Sequence, residues 1–212
     1  MDTTPLDSYI PSHWSFMPSS TQHKRFSLVK WSNEFKEVEQ LFRKSMKNHI
    51  VIKKIDRVQN PFMWETYCRN KENKTKIANG DQLKVNEKRL FHGTSPDAVE
   101  AICKENFDWR LNGKNGNLYG DGCYFAVEAS YSHRYAKEDA SKSRIMFLAK
   151  VLVGSYIEGN SSFRRPPPKQ PSANQVSDLY DSCVDDVSNP KIFVVFDKNQ
   201  FYPEYVIQYR TS

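Results

Sequence analysis

Three short clusters hold the side chains of this sequence that could do chemistry. They are His92-Gly93-Thr94-Ser95, Gly120-Asp121-Gly122-Cys123-Tyr124, and Ser132 with Tyr135 three residues on. His92 ends the apolar run Leu90-Phe91, and Gly93 after it lets a ligand approach the backbone closely. Thr94 and Ser95 offer hydroxyls beside a predicted helix N-terminus, whose dipole favours an anionic group. Gly120-Asp121-Gly122 lacks the third glycine of a dinucleotide fingerprint and the Lys-Ser/Thr of a phosphate loop. It reads as a tight turn entering a strand. Taken singly, His92 reads as a satisfied structural histidine, and Tyr124, Tyr131 and Tyr135 as core aromatics. Ser132 lies one turn before Tyr135, on the same general face.

The elements that must position these residues can be read from pattern. Residues 1–24 carry Pro5, Pro11 and Pro18 with Tyr9, Trp14 and Phe16 interspersed, an extended arm whose aromatics can pin it to the body. Ser32 or Asn33 caps a helix whose apolar positions Phe35, Val38, Leu41, Phe42 and Met46 follow helical spacing. Ile50–Val58 reads as a strand, and Asn60-Pro61 starts a second helix that Asn79-Gly80-Asp81 closes. Arg89–Phe91 is a short strand, Ser95-Pro96-Asp97 caps a helix through about Lys104, and 108–117 is a polar loop. Cys123–Ala126 is a brief strand followed by a helix over 128–135. Arg144–Gly154 reads as a strand buried on both faces. Three more strands follow a Pro-rich loop, near Tyr180–Val184, Lys191–Asp197 and Tyr202–Tyr209. Short strands with few alternating helices predict an α+β domain of two packed, mainly antiparallel sheets flanked by a few helices. No repeat and no linker divides the chain.

Composition excludes several classes. The 212 residues are 38% hydrophobic and 13% aromatic, which argues against a disordered chain. Thirty-one Lys+Arg against 25 Asp+Glu give +6, but the signs are mixed along the chain. His23-Lys24-Arg25 and Arg164-Arg165 read as solvated basic side chains, so nucleic-acid binding is not expected of this domain. Cys68, Cys103, Cys123 and Cys183 have no metal-ligand spacing, so no metal is expected and the thiols read as reduced and mostly buried. The longest apolar stretch, Ile145–Val153, is short and interrupted by Lys150, and no signal peptide is visible. These features predict a protein without a membrane span, inside the cell, in nucleus or cytoplasm.

In combination the clusters say more than any member. His92-Gly93-Thr94, Tyr119-Gly-Asp-Gly-Cys-Tyr124-Phe125-Ala126 and Ser132-x-x-Tyr135 strongly resemble the catalytic domain of the poly(ADP-ribose) polymerase family. The likeness runs from about Trp14 to Tyr209. Asn106-Phe-Asp-Trp109, Met146-Phe-Leu-Ala, Tyr180-Asp-Ser-Cys183-Val and Pro203-Glu-Tyr-Val-Ile207 are most similar to one branch. That branch holds mono-ADP-ribosylating enzymes, among them the TCDD-inducible member, and the zinc-finger antiviral protein. The resemblance implies a catalytic domain over residues 25–212 with no helical autoinhibitory domain, which consumes NAD+ as substrate. It implies that His92 anchors the adenosine ribose and that Gly93 pairs through its backbone with the nicotinamide carboxamide, assisted by Ser132. Tyr124 and Tyr135 would sandwich the nicotinamide ring. Thr94, Ser95, Phe125 and Ala126 would complete the NAD+ site, with the loop from Trp109 to Asn117 over it and Arg110 near the adenine or its ribose.

In polymerising members a glutamate begins a strand near the C-terminus. Here Ile192, in Asn189-Pro-Lys-Ile192-Phe-Val-Val, stands in that catalytic place. An isoleucine can neither accept a hydrogen bond from ribose nor activate a hydroxyl for chain growth. Transfer is therefore expected to stop at one unit, on Glu/Asp or Cys side chains of protein acceptors, this chain included. Departure of nicotinamide passes through an oxocarbenium-like state. Nicotinamide leaves neutral, so no general acid is required. The competing expectation is a catalytically silent binding module in an antiviral or RNA-associated protein.

Overall fold

The computed structural model describes residues 9–46, 50–111, 117–170 and 178–211. In chain order these form β1 (Lys24–Ser27), α1 (Asn33–Arg43), β2 (Ile50–Gln59), α2 (Pro61–Ile77), α3 (Gln82–Val85), β3 (Glu87–Thr94) and α4 (Val99–Glu105). There follow β4 (Cys123–Ala126), α5 (Ala129–Ser132), β5 (Arg144–Leu152), β6 (Tyr156–Glu158), β7 (Ser182–Val184), β8 (Ile192–Val195) and β9 (Phe201–Thr211).

The described strands make one hydrogen-bonded sheet in the order β1-β2-β9-β5-β3-β4-β8-β7-β6. The two sheets expected from sequence are thus two halves of one. They meet where β3 pairs with β4, a seam registered at the single pair Phe91–Ala126. Pairing is antiparallel except between β6 and β7. The chain is α+β, as its pattern predicts.

The central strand β5 shows why the pattern was apolar without alternation. Ile145, Phe147 and Ala149 pack into one core cluster, with Leu90, Phe125 and Phe201. Met146 and Leu148 pack into another, with Phe42, Phe91 and Tyr205. Successive side chains of a strand point to opposite faces, so a strand covered on both faces must be apolar throughout. One cover is α1. Ser32 caps it by accepting the Phe35 amide hydrogen at 3.2 Å, and Phe35, Val38 and Phe42 are buried on its inner stripe. The cap of α2 is Asn60, whose Oδ1 accepts from the Met63 amide at 3.1 Å, ahead of Pro61 in the first turn.

Strand β9 carries Pro203, which cannot donate to a ladder. The register against β5 slips between Leu148–Tyr205 and Ala149–Pro203, so Glu204 is the extra residue of a bulge. Glu204 takes a two-point ion pair from Arg89 (2.8 and 2.9 Å), which keeps it on β9 and away from β8.

The arm is described from Tyr9. Trp14 stacks on Tyr202 at 6.3 Å and leans on Trp64 at 5.9 Å. Ser15 exchanges two 2.8 Å hydrogen bonds with the Gln59 side chain. Where the arm meets the body the chain forms edge strand β1 (Lys24–Ser27), which sequence pattern did not predict.

Several expected elements are broken or shorter than predicted, three of them next to the cavity or its supports. The segment 96–104 is a 3-10 turn (Pro96–Ala98) followed by the seven-residue α4. The helix expected over 128–135 is the four-residue α5 plus a 3-10 turn over His133–Tyr135. Pinning of Ser132 to the Phe91 carbonyl ties this segment to β3 instead of letting it extend. The strand expected from Tyr180 starts at Ser182, because Asp181 is occupied as a cap: its carboxylate accepts the Ser155 amide and hydroxyl at 2.8 and 2.7 Å and the Lys74 ammonium. Among the described residues no helix is long and apolar enough to cross a membrane.

Candidate active site

A cavity of about 440 Å³ opens at the seam between the half-sheets. Its walls are the end of β3, strand β4, the α5 segment, the start of β8, and α4 with the turn after it. His92, Gly93, Thr94, Ser95, Tyr124, Phe125, Ala126, Ser132, Tyr135 and Ile192, the predicted site residues other than Arg110, all line it.

His92 is partly buried on β3, with Phe107 edge-on at 4.8 Å and Phe125 at 5.7 Å. Its Nδ1 lies 2.8 Å from the Tyr124 carbonyl oxygen. A carbonyl can only accept, so Nδ1 carries the hydrogen and Nε2 is left as an acceptor. Burial holds the imidazole below its ordinary pKa of 6.5, against the pull of that carbonyl, which favours the charged form. The neutral tautomer is therefore fixed.

Gly93 must be glycine for a steric reason. A Cβ there would stand 2.0 Å from the Ser132 carbonyl oxygen and 3.0 Å from the Ala136 nitrogen. Strand β5 covers one edge of β3 through Thr94, whereas β4 is registered only at Phe91. Beyond Phe91 the second backbone edge of β3 is open to the cavity. Ser132 is buried and donates its hydroxyl to the Phe91 carbonyl at 3.0 Å, leaving lone pairs of Oγ available.

Tyr124 uses its hydroxyl twice. It accepts from the Tyr119 amide and donates to the Gly120 carbonyl, both at 2.9 Å, closing the turn that leads into β4. Burial pushes this phenol up to about 12. With the hydroxyl committed, Tyr124 offers the cavity its ring. Tyr135 is 54% exposed at the mouth, its ring 5.8 Å from that of Tyr131. Ile192 is buried, and pairs with Ala126 at the first position of β8. The carboxylate of Asp185 accepts the amides of Lys191 and Ile192, both at 2.9 Å, and so sets where that strand begins.

Arg110 does not line the cavity. It lies on the adjoining groove and makes a two-point ion pair with Asp108 at 2.8 and 2.6 Å. That pair holds the Asp108 carboxyl below its ordinary value. Residues 112–116 of the polar loop lie outside the described residues.

Sequence reasoning missed Asn106, Phe107, Tyr131 and Lys137 as wall residues. Asn106 ends α4 at φ 73°, and its amide donates to the Lys198 and Phe201 carbonyls at 3.0 Å. This pins the turn that presents Phe107 to His92. An asparagine tolerating positive φ after a helix was the one available signal.

The chain belongs to the poly(ADP-ribose) polymerase catalytic domain family, whose family model matches residues 32–211. Among curated relatives, it is 44% identical to mouse protein mono-ADP-ribosyltransferase PARP11 over 94% of the chain, and spans 64% of that protein. It is 48% identical to human protein mono-ADP-ribosyltransferase PARP12 over 96% of the chain, spanning 28% of that relative.

Proposed function

We propose that this chain transfers one ADP-ribose unit from NAD+ to protein side chains and releases nicotinamide. The observation that carries the reading is the conjunction, at one cavity, of the locked His92 tautomer, the open backbone edge at Gly93, the Tyr124 ring and an apolar Ile192. The names of the relatives point the same way.

Each feature matches a part of the substrate. Nε2 of His92 accepts a ribose hydroxyl of the adenosine. A carboxamide needs a donor and an acceptor, which the Gly93 backbone supplies, and the Ser132 oxygen takes the second amide hydrogen. Aromatic faces of Tyr124 and Tyr135 attract the cationic pyridinium of NAD+ more than the neutral nicotinamide that leaves. The attraction is about 1–2 kcal/mol per desolvated face. Thr94, Ser95, Phe125 and Ala126 complete the walls.

Ile192 determines where transfer stops. It brings no charge and no hydrogen-bonding atom to the reacting ribose. The segment from Cys183 to Ile192 is a short turn whose Asp185 and Asp186 carboxylates are occupied by local bonds to Lys191, Ile192 and Ser188. No ADP-ribose already attached finds a partner there to activate its hydroxyl. An acidic or thiol side chain of the acceptor protein supplies the nucleophile itself.

Intact-protein mass spectrometry after incubation with NAD+, with His92→Ala as control, tests this. The expected result is discrete single ADP-ribose additions that map to separate sites and form at a rate lower by roughly 10- to 100-fold in the control. A ladder on one site would overturn the single-unit reading. No NAD+ consumption with any acceptor would overturn the transferase reading.

A further inference from the structure

The proposed reaction places the nicotinamide ribose beside Ile192, and its hydroxyls must find partners there. A sugar hydroxyl taken from water into this cavity costs free energy unless hydrogen-bonded. Ile192 cannot provide the bond. Most neighbouring polar atoms are already committed. The Tyr124 hydroxyl bonds the Tyr119 amide and the Gly120 carbonyl at 2.9 Å each. The Ser132 hydroxyl donates to Phe91 at 3.0 Å, and Nδ1 of His92 is held by Tyr124 at 2.8 Å.

Tyr131 is different. It lines the cavity and packs against the small cluster of Cys183, Ile192 and Val194. Its ring is held from outside by the Arg134 guanidinium, 5.2 Å from the centroid. Yet its hydroxyl makes one contact among the described residues, with the Tyr135 hydroxyl at 3.5 Å, the outer limit of a hydrogen bond in which either oxygen can donate. Burial first, and Tyr135 second, raise its phenol pKa, so it stays protonated at neutral pH and serves as donor and acceptor.

We infer that the Tyr131 hydroxyl is a further catalytic group, hydrogen-bonding a hydroxyl of the nicotinamide ribose where residue 192 has no polar atom to offer. The inference rests on the transferase reading. No proton is transferred in this role. The contact fixes the sugar while the bond to nicotinamide breaks, exchanging the weak Tyr131–Tyr135 contact for a better one.

The test compares wild type with Tyr131→Phe, which keeps the ring and its packing. The substrates are NAD+ and analogues lacking the 2′- or the 3′-hydroxyl of the nicotinamide ribose. Tyr131→Phe is expected to lower kcat/KM for NAD+ by about 3- to 10-fold, the effect of one neutral hydrogen bond. Affinity for free nicotinamide, which has no ribose, is expected to stay unchanged. With one of the two analogues wild type and variant become equal, because each change deletes the same bond. Equal rates on NAD+ would overturn the contact and leave the transferase reading standing, as would a difference that persists undiminished with both analogues. If wild type turns over no NAD+, calorimetric affinities for NAD+ replace the rates. Equal affinities then overturn the contact, and no NAD+ binding overturns both readings.

Discussion

Nδ1 of His92 and the carbonyl oxygen of Tyr124 are 2.8 Å apart, one on each side of the seam between the half-sheets. That bond joins the two residues assigned to opposite ends of the NAD+ molecule. It fixes which nitrogen of His92 faces the cavity. It also ties the strand that carries Tyr124 to the strand that carries Gly93.

The pH profile follows from this bond. In the proposed assignment, protonation of Nε2 removes the acceptor meant for the adenosine ribose. Burial lowers the imidazole pKa from 6.5, so the neutral form persists into mild acid. A plot of kcat/KM against pH is expected to be flat through neutrality and to fall only below the ordinary histidine range. An acid limb centred at or above 6.5 contradicts the assignment. His92→Ala, which also strands the Tyr124 carbonyl, is expected to cost roughly 10- to 100-fold in kcat/KM.

Tyr124 separates ring from hydroxyl. Tyr124→Phe leaves the Tyr119 amide and the Gly120 carbonyl without their partner. It should lower unfolding free energy by about 1–3 kcal/mol while nicotinamide affinity stays within about 3-fold. Tyr124→Ala removes the aromatic face. It should weaken NAD+ by about 10-fold or more, and more than it weakens neutral nicotinamide. Denaturant melts and calorimetry of the two variants check both parts.

Ile192→Glu is expected to yield no chains of ADP-ribose. The side chain is 4% exposed among apolar neighbours, so a carboxylate there is desolvated and the fold is weakened. In the proposed reading, the short segment before Ile192 also offers no surface to hold an acceptor ADP-ribose. Chain length measured by mass spectrometry decides, and long chains from this single change would refute the account.

Asp181 predicts an acid limb of stability. Burial alone would raise its carboxyl, but the Lys74 ammonium and the Ser155 hydroxyl and amide outweigh it, and the net shift is below the ordinary 3.8. A depressed carboxyl contributes stability that is fully present above its unfolded pKa and is lost as pH falls through the folded value. Asp181→Asn is expected to cost about 2 kcal/mol at pH 7 and much less near pH 3. Urea melts at the two pH values measure the difference, and an equal loss at both contradicts the reading.

Elements set by local signals were legible. Ser32 and the spacing of Phe35, Val38 and Phe42 located α1, and the unbroken apolar run from Ile145 located β5. Elements set by distant partners were not. β1 exists because the residues that follow the arm meet β2, and β6 is three residues long and pairs in parallel with β7, far along the chain. One pair, Phe91–Ala126, decides whether there are two sheets or one, and no composition or period encodes a single pair. The site divides in the same way. Motifs gathered His92, Gly93, Tyr124, Ser132 and Ile192 at one cavity, whereas Arg110 turned to its neighbour Asp108. Tyr131 read as core, because an aromatic at helical spacing has no sequence mark that separates a wall from an interior.

The thin seam gives the donor cavity a mechanical meaning. Among the described residues five strands lie on one side and four on the other, with Gly93 in the first group and Tyr124 and Ile192 in the second. A molecule held by all three spans the joint like a cross-strut. Occupancy adds contacts across a joint whose interior one core cluster already fills, and the melting temperature rises with ligand concentration as mass action requires. In the proposed reaction, departure of nicotinamide removes the part of that strut assigned to Gly93 and Tyr124 as the ribose becomes reactive.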